Sequence, residues 1–152
     1  MRHFINFLAT GCFIGKVPVA PGTAGTLVGV LLYLLIHPLP IFVYVVTVIA
    51  FIFLSAWVAT KAQAIYGEQD PQEVVIDEIA GYLVTMAFHK FDVWLIVGGF
   101  VLFRIFDIVK PFPLRWIERR FVSGWGIVLD DVAAGIYANL ALWFFGLLLP
   151  NW

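Results

Sequence analysis

The sequence predicts an all-α fold, a compact bundle of about five membrane-embedded helices plus one short interfacial helix, on three observations. Hydrophobic residues make up 62% of the 152-residue chain, and mean hydropathy is +0.99. Only 12% of residues are charged, about half the share in ordinary soluble proteins. The apolar residues gather into segments of helix length separated by prolines, glycines and charged residues. The whole chain, 1–152, reads as a single membrane domain without repeats or low-complexity tracts.

A crossing helix needs about 20 residues, each adding 1.5 Å toward roughly 30 Å of hydrocarbon. The N-terminal arm has Arg2 and the apolar run 4–8 of a secretory leader, but polar residues and glycine interrupt the run and no A-x-A cleavage site follows. The first apolar stretch, 27–36, reaches membrane length if its helix starts near Pro21, where a first-turn proline is tolerated. Residues 41–60 form the clearest span. Residues 74–88 form a short one that holds Asp77 and Glu78 in its first turns. Residues 93–109 carry Arg104 and Asp107 near their end, and residues 132–149 are led in by Asp130 and Asp131. After Lys110, Pro111 and Pro113 stop the helix; Leu114, Ile117 and Phe121 then recur at helical spacing with Arg115 and Arg119 off that stripe, which predicts a helix lying in the interface.

Five helices in this order put the N-terminal arm and the connections 61–72 and 110–128 on one side. Arg2, Lys16, Lys61, Lys110, Arg115, Arg119 and Arg120 fall there and Lys90 alone falls opposite, so the positive-inside rule makes the first side cytoplasmic. The acidic residues of the apolar segments gather at that same face.

Such carboxylates cost several kcal/mol beside hydrocarbon unless paired, neutralised or metal-bound, which makes them functional candidates. In DPQEVVIDEIAGYL, Asp77 and Glu78 project about 100° apart and can approach one ion from two directions; Glu73 reads as a solvated first-turn acid on the Asp77 face. In FRIFDIVKPFP, Arg104, Asp107 and Lys110 follow at intervals of three. They form either a structural ion-pair ladder or a set in which Asp107 binds metal while Arg104 and Lys110 hold phosphate oxygens. In GIVLDDVAAGIYANL, Asp130 and Asp131 open a helix, and two aspartates exceed what capping needs. In APGTAGTLVG, Thr23 and Thr26 stand at a helix start, where free amides and the dipole favour an anion, although small residues there also serve helix packing.

Several chemistries are excluded. The net charge of −1 argues against nucleic acid. Cys12, the only cysteine, permits no intramolecular disulfide, has no arginine six residues on, and reads as a packing residue. No D-x-D nucleophile motif exists, and His3, His37 and His89 are scattered between the arm and the opposite face. Clustered carboxylates call for a divalent cation, and oxygen-only ligands suit Mg²⁺ or Mn²⁺.

The strings APGTAGT, VVIDEIAG, FRIFDIVKPFP and GIVLDDVAAG, in this order over nearly the whole chain, resemble the bacterial phosphatidylglycerophosphatase A family. The resemblance implies an all-helical, Mg²⁺-dependent phosphatase of the bacterial inner membrane that converts phosphatidylglycerophosphate to phosphatidylglycerol at the cytoplasmic face. It further implies that Asp77, Glu78, Asp107, Asp130 and Asp131 bind metal and activate water, and that Thr23, Thr26, Arg104 and Lys110 contact the substrate phosphate. The rival reading of the residues, a small ion-coupled transporter or channel subunit, expects carboxylates spread across membrane depth and repeated halves. A lipid phosphotransferase would carry D-x2-D-G-x2-A-R, which is absent.

Overall fold

The structure, a computed structural model, describes residues 1–112, 114–116 and 123–148, and among them every regular element is helical. The principal helices are α1 (Arg2–Ala9), α2 (Pro21–Ile36), α3 (Ile41–Tyr66), α4 (Ile76–Thr85), α5 (Val93–Val109) and α6 (Gly124–Leu148), with a tight helical turn at Ile14–Lys16. The proposed interfacial helix falls largely outside the described residues; of those described, 114–116 are helical, with Leu114 buried.

α3 and α6, about 39 and 38 Å long, are long and apolar enough to cross a membrane. In each, only 28% of the most apolar stretch is buried inside the structure. Phe42, Val46, Ile49 and Phe53 on α3 and Ile136, Leu140, Trp143 and Phe144 on α6 point outward, as do Leu31 and Leu35 on α2 and Val97, Val101 and Ile105 on α5. Of the five expected spans, α2 and α5 reach about 24 and 26 Å and α4 only about 15 Å, too short to cross.

α4 is the centre of the bundle. It packs on α2, α3, α5 and α6, and eight of its residues, from Ile76 to Thr85, are buried. Gly81 and Gly135 bring α4 and α6 together almost backbone to backbone: a Cβ on Gly135 would stand 2.3 Å from the Gly81 carbonyl oxygen. The last carbonyl of α4, which has no partner within its own helix, is met from α6, where Asn139 Nδ2 donates to Thr85 O and, just beyond the helix, to Ala87 O, both at 2.8 Å. Tyr44 of α3 donates to Leu83 O at 2.7 Å, and Tyr82 of α4 to Ile96 O at 3.0 Å. A ten-residue helix can therefore end inside the bundle because its neighbours satisfy its backbone.

Several expectations need correcting. The N-terminal arm is a helix: α1 buries Ile5 and Ala9 against α3, and Ala9 O accepts from Val75 N at 2.8 Å. α3 does not stop at residue 60 but runs to Tyr66 and ends on Gly67 at φ 73, so part of the expected 61–72 connection is helical. α6 begins at Gly124, which places Asp130 and Asp131 within the helix rather than at its cap. Glu73 precedes α4 and shares no helix face with Asp77; it accepts from Tyr66 Oη at 2.9 Å, with Lys16 Nζ 3.9 Å away. Cys12 is exposed at φ 61 in the turn after α1 and packs in no core.

Gly135→Ala should lower the thermal unfolding midpoint of the detergent-solubilised protein, because the added methyl forces α4 and α6 apart at a cost of about 1–3 kcal/mol. An unchanged midpoint would show that the close approach is not tight.

Candidate active site

A cavity of about 810 Å³ opens where the N-termini of α2 and α4, the C-terminal end of α5 and the early turns of α6 meet. Asp77 and Glu78 enter it from the first turn of α4, where the helix dipole favours negative charge. Asp130 and Asp131 enter from the second turn of α6, and Arg104 and Asp107 from the last turns of α5. Lys110 caps α5 in the left-handed conformation at φ 46, an uncommon state for a lysine, and this turns the chain so that its side chain reaches the cavity.

The charges pair in a definite order. Arg104 Nη1 lies 2.7 Å from Asp107 Oδ2 and 3.9 Å from Glu78 Oε1. Lys110 Nζ crosses to Asp130 Oδ2 at 2.5 Å, so the row of three expected along α5 is realised only for Arg104 and Asp107. Among the described residues no cation pairs with Asp77 or Asp131, which are 5% and 4% exposed. Burial pushes the Asp77 carboxyl up to about 7. Burial, with Asp77 beside it, holds Glu78 well above the usual carboxylate range.

α2 meets this cluster end-on. A Cβ at Gly22 would stand 2.3 Å from Glu78 Oε1 and 3.1 Å from both terminal nitrogens of Arg104, so glycine is needed for the close approach. Thr26 is fully buried, donates to Gly22 O at 2.8 Å and accepts from Arg104 Nη1 at 3.5 Å. It therefore stands behind Arg104 rather than in the cavity wall. Thr23, half-buried on the first turn of α2, is also not among the lining residues. The lining brings in residues that the sequence reading passed over: Gly22, Gln63, Gln69, Asp70, Gln72 and Ser123. Three glutamines within ten residues on the charged side of the chain were the available signal, hidden because α3 was expected to end before Gln63.

Two sets of carboxylates can hold a cation: Asp77, Glu78 and Asp131, and Asp107, Asp130 and Asp131. Within each set, one oxygen from every residue lies within 4.8 Å of the others. Asp77 Oδ1, Glu78 Oε2 and Asp131 Oδ2 are buried without a hydrogen-bond partner among the described residues. Orphaned buried carboxylate oxygens are costly, and an all-oxygen donor set fits a hard divalent ion such as Mg²⁺.

A family model described as "Phosphatidylglycerophosphatase A" matches residues 7–146. A Bacteroides thetaiotaomicron protein provisionally named phosphatidylinositol-3-phosphatase is 37% identical over 89% of this chain and 89% of its own length. Proteins named phosphatidylglycerophosphatase A from Escherichia coli K12 and Haemophilus influenzae are 34% and 35% identical, over 93% and 91% of this chain and 83% and 86% of their own lengths. No solved structure matches the chain significantly.

Mg²⁺ should raise the thermal unfolding midpoint of the purified protein. At a hundredfold excess over Kd, linkage amounts to about 2.7 kcal/mol. Asp131→Asn, a change in both carboxylate sets, should abolish the rise; an equal rise in that variant would place the ion elsewhere.

Proposed function

Because the chain belongs to the phosphatidylglycerophosphatase A family, we propose that this lipid phosphatase hydrolyses phosphatidylglycerophosphate to phosphatidylglycerol and inorganic phosphate, with Mg²⁺ held by Asp77, Glu78, Asp107, Asp130 and Asp131. The observation that carries the reading is the convergence of these five carboxylates with Arg104 and Lys110 around one cavity at the ends of four helices. A string of acids through the depth of the bundle, which an ion route would need, is not what they form.

The acyl chains stay among the outward apolar side chains of the bundle, and only the phosphoglycerol headgroup enters the cavity. Arg104 offers its planar fork to the phosphoryl oxygens and Lys110 a point charge, both at the position where negative charge builds up. Thr26 and Asp107 hold the guanidinium in place. When bound, Mg²⁺ supplies neutralisation of the carboxylates and of the phosphoryl charge. A cavity carboxylate takes a proton from water as its oxygen attacks phosphorus in line. The bond from phosphorus to the glycerol oxygen breaks, and that oxygen leaves with a proton as the alcohol of phosphatidylglycerol. The polar wall of Gln63, Gln69, Gln72 and Ser123 faces the headgroup glycerol and its hydroxyl.

The positive residues of the cavity side, Lys16, Lys61 and Lys110 among them, support a cytoplasmic orientation in the inner membrane, with α2 and α5 embedded beside α3 and α6. Phosphorus attached to a primary glycerol hydroxyl is one substrate and phosphate on an inositol ring another. The Bacteroides relative makes the second worth testing.

Purified protein should release phosphate from phosphatidylglycerophosphate in mixed micelles when Mg²⁺ is present and not in excess chelator. Asp107→Asn should abolish release with helicity unchanged, and Arg104→Gln should lower kcat/KM by about 10²–10³-fold. Full turnover in Asp107→Asn removes that residue from the mechanism. Faster release from phosphatidylinositol 3-phosphate reassigns the substrate, and cation flux in proteoliposomes without hydrolysis favours the transporter reading.

A further inference from the structure

The five cavity carboxylates do not form one ligand set. They fall into the two triads Asp77, Glu78, Asp131 and Asp107, Asp130, Asp131, with Asp131 common to both. Mg²⁺ holds oxygen at about 2.1 Å, so two ligands on opposite sides of one ion stand about 4.2 Å apart. Each triad, with its oxygens within 4.8 Å of one another, closes around one ion by small side-chain adjustments. No set of that size joins Asp77 and Glu78 to Asp107 and Asp130 among the described residues, so the five carboxylates present two compact sites rather than one.

A second observation points to ligands in both directions from Asp131. Asp77 Oδ1 and Asp131 Oδ2, on side chains more than nine-tenths buried, line the cavity without a hydrogen-bond partner among the described residues. The ion pairs of Arg104 and Lys110 go instead to Asp107, Glu78 and Asp130. One ion in the first triad would leave Arg104 and Lys110 engaged by Asp107 and Asp130, and those two carboxylates would face an incoming phosphate dianion. Were a second ion held by Asp107, Asp130 and Asp131, Arg104 and Lys110 would be free to turn toward the phosphate.

Resting on the phosphatase reading above, we propose that the cavity binds two divalent cations, with Asp131 as the ligand they share. Two ions bridged by one carboxylate would stand close enough to act as two-ion sites do, where charges about 3.5–4 Å apart clamp the oxygens on either side of a transferring phosphoryl group.

Metal-stripped wild-type protein in detergent is titrated with Mn²⁺, bound ions are counted by equilibrium dialysis, and the saturated sample is examined by electron paramagnetic resonance. The expected result is two Mn²⁺ per chain with an exchange-coupled spectrum. Asp77→Asn and Asp107→Asn should each retain one ion with the spectrum of isolated Mn²⁺. One ion per chain in the wild type, or two without coupling, overturns the shared pair. The wild-type measurement decides even where a variant fails to fold. Phosphate release assayed on the same preparation separates the two readings: hydrolysis with a single bound ion removes the pair and leaves the phosphatase, whereas absence of hydrolysis removes the phosphatase whatever the ion count.

Discussion

Carboxylates gathered within a few ångströms of one another and shielded from bulk water repel, and the fold supplies the contacts that hold Asp77, Glu78, Asp107, Asp130 and Asp131 together against that repulsion. Arg104 and Lys110 offset part of it through three ion pairs. Helix dipoles at the start of α4 and α2 offset more. Asp77 and Asp131 pair with no cation among the described residues, and both belong to carboxylate sets whose oxygens are close enough to hold a cation.

Holding such a cluster requires rigid elements. α4 cannot cross a bilayer, yet it is the most enclosed helix in the molecule, with Asn139, Tyr44 and Gly135 fixing its position from neighbouring helices. Burial on all sides lets a short helix present two acids at its N-terminus while the longer helices around it turn Leu, Val, Phe and Trp side chains outward. The site thus lies at the ends of four helices, at one end of the bundle. The opposite end of the bundle, where His37 stacks on Phe91 with ring centroids 4.5 Å apart, contributes nothing to it.

Small residues do as much for the site as charged ones. Gly22 lets the start of α2 rest against Glu78 and Arg104, and Gly81 and Gly135 set the spacing between the helices that carry Asp77 and Asp131. Thr26 acts through Arg104, which explains how a threonine of a site-forming motif can stand outside the cavity wall. Its hydroxyl holds both the first turn of α2 and the guanidinium that faces it.

Composition and local pattern were enough to determine the all-helical class, the boundaries of α5, the proline start of α2 and the gathering of five acids with Arg104 and Lys110 on one face. Charge in an apolar segment is a local signal, legible because it violates hydropathy wherever it occurs. The tertiary structure decided what depends on partners distant in sequence. Lys110 pairs with Asp130 rather than Asp107 because the left-handed cap turns the chain away from the axis of α5. Glu73 belongs with Tyr66 because α4 starts three residues after it. Asp131, indistinguishable from Asp130 along the chain, becomes the member of both triads only when α6 is packed between α4 and α5, since spacing along a chain fixes which side of a helix a residue takes but not which neighbour waits there.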